Sequence, residues 1–311
     1  MDHLVDLFFL SANKKNNKNK TSLRGNMNLN TLLKVSIIIF GIVAFFVVLL
    51  NLLVVIAIWK DPLKKLQNKF SYLLVHLFVV NILDGLIALP VLMYGMSSDP
   101  QVTPLVTDFI YMAMVFSTFS LSVDRYRAIQ DPIHHRNNSS MKHVGFYVLG
   151  IWTCAILNFI GFYCFGKEFR MGFQIAAFTT MAITIVIMYI RIQKVFKHRN
   201  HQSDGDDIYL LSTPAMIEEH RKNEKAVLST CKVIVTLQLI SWMPTMILDY
   251  RRMMKPSLSS TQNVSAMCII NLFSTIGPTS DALVCIFKLK NFKESVKHLF
   301  SYFHRSTDLT L

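Results

Sequence analysis

Charge is scarce in this chain: Asp, Glu, Lys and Arg make up 16% of its 311 residues, against roughly 25% in an ordinary soluble domain. Metal-ligand spacing is missing too. The five cysteines (Cys154, Cys164, Cys231, Cys268, Cys285) stand apart from one another, and the apolar stretches hold no His/Asp/Glu cluster or nucleophile motif. An enzyme built inside a membrane is therefore disfavoured, and the expectation is no catalytic residue, no bound metal and no cofactor. Alternation of apolar and polar residues over about 10 positions is lacking, which excludes a transmembrane β-barrel. Internal repeats are lacking as well, which speaks against a transporter built from duplicated halves.

Apolar residues are abundant. They reach 52%, with 23 Phe and a mean hydropathy of +0.39. Seven long apolar stretches fall near 32–59, 70–94, 102–123, 142–165, 171–196, 226–250 and 263–287. Each reaches the roughly 20 residues that cross a hydrocarbon core as helix. The fold class expected is an all-α membrane protein, a seven-transmembrane-helix bundle over 32–288. The start, MDHLVDLFFLSANKK, has no basic n-region, so the first span is expected to serve as signal and anchor together.

The net charge of +13 suggests nucleic acid at first sight, but its distribution excludes that partner. With the N-terminus outside, 21 of the 32 Lys and Arg lie in cytoplasmic segments and 11 in outer ones. That asymmetry fits an extracellular N-terminus and a cytoplasmic C-terminus, although Lys14, Lys15, Lys18, Lys20 and Arg24 pull the other way. Residues 1–31 read as a disordered extracellular tail, and 198–223 as a cytoplasmic loop, partly helical towards its end. After the seventh span, 289–311 are expected to form an amphipathic helix on the inner membrane surface and a short tail. Leu289, Phe292, Val296, Leu299, Phe300 and Phe303 fall on one side, and Lys290, Lys293 and Lys297 on the other. Sequons make Asn19 and Asn263 candidate glycosylation sites outside, whereas Asn137 and Asn138 fall inside. Near the outer face, Cys164 and Cys268 are equally compatible with a disulfide and with two thiols.

Several polar residues interrupt the spans, and such residues are costly in lipid unless they have a job. Asp124, Arg125 and Tyr126 close the third span. Pro244 has no N–H and clashes with the carbonyl of Ile240, so a kink is expected in the sixth span. Trp242 places a large ring beside it. Arg125 is expected to pair with Asp124 and to reach Glu224 on the sixth helix. Breaking that clamp would let the sixth helix swing out, a two-state rigid-body switch. Asn51, Asn81 and Asp281 lie deep in three different spans and are expected to face one another, either as structural hydrogen bonding or as part of signalling.

The run Asp124-Arg125-Tyr126, with Ala128, Ile129 and Pro132 after it, resembles the end of helix three in rhodopsin-like (class A) G protein-coupled receptors. Asn51, Asn81 with Gly85 and Pro90, Trp152, Tyr189 and Ser241-Trp242-Met243-Pro244 follow the family's order. The resemblance implies a plasma-membrane receptor that transmits an extracellular small-molecule, lipid or peptide ligand to a heterotrimeric G protein, with membrane lipids as surroundings. It implies a switch made of Asp124, Arg125, Tyr126, Tyr189 and Glu224. Departures are present. Asp281 is taken as the start of the helix-seven signature, whose proline and tyrosine are lost, with Pro278 supplying a displaced kink. Gln238 stands where an aromatic is usual. Asn81 replaces an aspartate, unless Asp84 one turn further on substitutes for it, and Met114 replaces a serine; with Asp281 as the remaining carboxylate, that leaves too few oxygens for the sodium ion that many members hold. The absence of a cysteine at the outer end of helix three, Met181 in place of a proline and a short loop over 165–170 resemble the melanocortin, cannabinoid and lysophospholipid receptors. The YIRI run at 189–192 resembles adenosine receptors. The place of an amine-binding aspartate is Thr107, with Asp108 about 100° round the helix, and Tyr111, Asp249 and Asn271 are expected to join an outer ligand pocket. Asp108 is equally compatible with a helix-end residue facing water. The rival reading is a multi-pass transporter or channel using the polar intramembrane residues.

Overall fold

The computed structural model describes residues 31, 34–61, 69–97, 103–131, 135, 141–202, 214–254 and 269–308. Seven helices are long and apolar enough to cross a membrane: α1 (Lys34–Lys60), α2 (Lys69–Tyr94), α3 (Leu105–Gln130), α4 (Lys142–Gly166), α5 (Glu168–Val195), α6 (Lys222–Arg251) and α7 (Ile269–Lys288). Even the 20 residues of α7 give about 30 Å of helix at 1.5 Å per residue, the thickness of a hydrocarbon core. An eighth helix, α8 (Lys290–Asp308), follows after extended backbone at Leu289.

Sequence-based ends shift in three places. The third span is extended to Gln130 rather than stopping near 123, because Asp124 and Arg125 neutralise each other and let the helix continue. The helix that carries α6 starts at Pro214, where proline's missing N–H costs nothing at a first turn. Helical residues also reach Gln202, past the expected loop start at 198.

Outward faces are apolar, as lipid requires: Ile38, Ile42, Phe45 and Phe46 on α1 and Ile183, Val186 and Ile187 on α5 are exposed. The interior has two main clusters. One joins Leu74, Leu77, Leu121, Ile192, Ile234 and Cys285. The other joins Val80, Ala113, Met114, Phe178, Met181 and Trp242. On α8, Phe292, Val296 and Leu299 are buried, while Lys290, Lys293 and Lys297 are exposed.

Local backbone breaks have identifiable causes. Between α4 and α5 the chain reverses at Gly166, with φ 81° and ψ −170°, a conformation that only glycine adopts without strain. In α7 the helix is interrupted at Thr275 and resumes at Ile276. Pro278 has no N–H for the carbonyl of Ser274, so the break sits one turn before the proline. In α2 a π-helical stretch runs from Asp84 to Ala88, and the Leu89 N–H bonds the Asp84 carbonyl five residues back. Pro90 has no N–H for the carbonyl of Leu86, one reason for the ladder to change step here.

Candidate functional site

At the C-terminal end of α3, Asp124 is fully buried and gathers two cations, Arg125 and Lys69, and one histidine, His135. Arg125 donates to its Oδ2 through Nη2 at 2.5 Å and Nε at 3.2 Å. His135 Nε2 lies 3.1 Å from Oδ1, and Lys69 Nζ lies 3.5 Å from the same oxygen. The Arg125 guanidinium also sits over the Phe70 ring, 4.3 Å from its centroid, a favourable placement for a planar cation. Sequence reasoning singled out Asp124 and Arg125 but missed Lys69 and His135. The only signal for them was a basic residue at the inner end of α2 and a histidine pair eleven residues on.

The expected reach from Arg125 to Glu224 is not made. A fully buried carboxylate next in sequence and an aromatic face hold the guanidinium against α2 and α3, and Glu224 lies exposed on α6. Tyr126 Oη accepts from Arg191 Nη1 at 3.4 Å, tying α3 to α5. Tyr189 is buried on α5. Lys288 Nζ donates to Ser229 Oγ at 3.0 Å, linking the C-terminal end of α7 to the N-terminal part of α6.

About three turns deeper, four helices meet through side chains. Asn51 Nδ2 on α1 donates to the carbonyls of Val47 at 2.8 Å and Pro278 at 3.0 Å. Asn81 Nδ2 on α2 donates to Asn51 Oδ1 and to Asp281 Oδ2, both at 3.1 Å. Gln238 Nε2 on α6 donates to the same Asp281 oxygen at 2.6 Å. The three polar residues expected to face one another do so. Gln238 was read only as a misfit for an aromatic, and its hydrogen bond explains it. Space for it comes from Gly277, where a Cβ would stand 2.5 Å from Gln238 Oε1 and 2.9 Å from Ser241 Oγ.

This network also bears on sodium. Asp281 Oδ2 already accepts two amide donors and the buried Met114 brings no oxygen; the unpartnered oxygens of this layer, Asp281 Oδ1, Asn81 Oδ1 and Gln238 Oε1, belong to one carboxylate and two neutral amides, little charge to offset a cation's lost hydration. Replacing potassium by sodium at equal ionic strength is expected to leave agonist affinity nearly unchanged in the unmutated protein, and Asn81→Asp to create a sodium effect. Agonist binding in the two salts measures it, and a strong sodium-specific loss in the unmutated protein overturns the expectation.

Beside α6's Pro244, Trp242 is buried and meets Phe178 edge-on at 6.1 Å. Towards the other end, Asp108 on α3 pairs with Arg170 on α5, with Gln174 beside it. Arg170 had been counted only as an outer charge, and the short α4–α5 turn is what brings it to α3. Thr107, Asp249 and Asn271 are buried, and Tyr111 is half-buried beside Ser274. His76 Nδ1 lies 3.1 Å from Ser117 Oγ, with its ring edge-on to Trp152 at 6.0 Å, a further α2–α3–α4 junction that the sequence did not announce. Cys164 is an exposed thiol. Asn19, Asn263, Cys268, Phe303's side chain and the sequons at Asn137 and Asn138 lie outside the described residues.

Among the described residues, seven apolar helices of membrane-crossing length, a buried acid–base cluster closing α3 and a polar core shared by four helices define a helical bundle built to span a membrane. Residues 50–172 match the model of the 7 transmembrane receptor (rhodopsin family). Over that stretch, and with seven spans of crossing length, the chain is similar to the rhodopsin-like family of seven-transmembrane receptors. A 5-hydroxytryptamine receptor 2B from Dichotomyctere fluviatilis is 33% identical over 115 residues, covering 34% of this chain and 24% of that protein. The chain thus aligns with about a quarter of the curated relative's length.

Proposed function

We propose that this protein is a G protein-coupled receptor of the plasma membrane, in which an extracellular ligand favours a state whose inner face binds a heterotrimeric G protein. The observation that carries the reading is the Asp124–Arg125 pair at the inner end of α3, buried under a hydrogen-bond network that includes α6. A ligand acts by preferring one of two bundle states, since equal affinity for both shifts nothing. Outward movement of α6 about Pro244 is the proposed change. Gln238 and Asp281 lie where such a movement strains a contact, and Trp242 lies where a ligand presses.

The inner ends of α2, α3, α6 and α7 carry Lys69, Arg125, Arg127, Lys225 and Lys288, which supports a cytoplasmic placement for that face. The outer pocket remains assigned to Thr107, Asp108, Tyr111, Asp249 and Asn271. The relative above is named for an amine, yet Thr107 is neutral and Asp108 already has Arg170. The grouping near melanocortin, cannabinoid, lysophospholipid and adenosine receptors rests on three absences and the YIRI run. G-protein biosensors in cells given a ligand library, set against solute uptake in vesicles, test the receptor against the transporter. Ligand-dependent recruitment without uptake is expected.

Orientation has its own test. Glycan is expected on Asn19, and on Asn263 if the membrane leaves it accessible, with none on Asn137 or Asn138. Endoglycosidase shifts of single-sequon variants read this directly, and glycan on Asn137 or Asn138 would invert the topology.

A further inference from the structure

Asp84 has no role in the network just described. It opens the π-helical stretch of α2 and is 1% exposed, and neither of its carboxylate oxygens has a hydrogen-bond partner among the described residues. Fifteen residues separate it from Lys69 at the inner end, about 22 Å of helix, which sets it beyond the Asn81–Asp281 layer. A buried carboxylate without partners is costly, and an ionisable side chain inside a membrane bundle marks a functional site by default.

Its neighbourhood has the matching chemistry. Tyr111 on α3 lies within electrostatic reach of Asp84, and its hydroxyl is also unpartnered. On α7, Ser274 flanks Tyr111, and Asn271, one turn away and 8% exposed, has an unpartnered Nδ2. The other aspartates towards this end are engaged: Asp108 pairs with Arg170, and Asp249 has contacts of its own. Leu83, Ala88 and Met114 belong to the apolar cluster that also includes Tyr111.

We propose that Asp84 anchors the ammonium group of an organic cationic ligand, with the Tyr111 hydroxyl beside it, a refinement that rests on the receptor reading. An ammonium carries up to three N–H donors, and two carboxylate oxygens plus one hydroxyl are three acceptors. A hard metal ion asks for about six oxygens, twice what Asp84 and Tyr111 offer. The organic body of the ligand then extends towards Asn271, whose amide provides a polar contact further along.

The test uses the full-length protein in nanodiscs and follows its thermal midpoint. Probes are 2-phenylethylamine, tryptamine and benzylamine, with 2-phenylethanol as a neutral counterpart and sodium chloride against potassium chloride as the inorganic arm. At least one amine should raise the midpoint saturably while the alcohol and sodium do not. Asp84→Asn should weaken that amine by about tenfold or more, the worth of a charge-assisted contact, and Tyr111→Phe by less. If Asp84→Asn does not fold, Asp84→Ser is read in its place. No response to any amine, equal response to the alcohol, an Asp84-dependent rise with sodium alone, or unchanged amine affinity in the Asp84 variants each overturns the proposal. No G protein enters this measurement, so its failure leaves the signalling reading standing, and that reading falls on separate grounds.

Discussion

Arg125→Ala is expected to abolish G-protein recruitment while most of the protein still reaches the cell surface. The first half follows from placing the guanidinium at the inner end of α3 as a contact for the partner. The second follows from geometry: with Arg125 gone, Asp124 keeps His135 at 3.1 Å and Lys69 at 3.5 Å. A buried carboxylate left with a lysine cation and a histidine N–H partner is far less destabilising than one left alone. Surface immunolabelling alongside biosensor recruitment measures both halves. Normal recruitment by Arg125→Ala would reduce the residue to an anchor at the membrane surface.

Asp281→Ala has the larger effect on stability. Its removal strips the acceptor from Asn81 Nδ2 and Gln238 Nε2 together, in the centre of the bundle. An unsatisfied buried donor costs roughly 1–3 kcal/mol, towards the lower end among membrane helices, where stranded groups find other partners. Two such donors should lower the thermal midpoint and the surface level clearly. Asp281→Asn keeps an oxygen acceptor and should be milder. A thermal midpoint of Asp281→Ala equal to that of the unmutated protein would mean that the four-helix junction contributes nothing.

These outcomes depend on features of unequal visibility in the sequence. Hydropathy alone revealed the seven spans, because lipid imposes length and apolarity on every crossing segment. Asn51, Asn81 and Asp281 were legible as a group, since amides and a carboxylate that deep in lipid have few companions but one another. Gln238 was not, although its partner lies 2.6 Å away. Which face of α6 meets α7 depends on helix rotation, and a helix apolar on nearly all sides gives no periodic signal for it. The same reason hid Arg170 from Asp108 and Lys69 from Asp124: each pair needs two helices in register. The π-helical step at Asp84 was hidden for a different reason. It changes the angular phase of α2 by a fraction of a turn, and apolar neighbours on both sides leave no mark of that.

Gly166 constrains how the bundle rearranges. It is the single non-helical residue between α4 and α5, and one residue of extended chain spans only about 3.5 Å. Sliding of α5 along its own axis beyond that slack must drag α4 with it. Tilting about this joint, in contrast, is free in the degree that glycine's φ and ψ permit. The two helices therefore behave as a hairpin spring, stiff to piston motion and compliant to splaying at the opposite end.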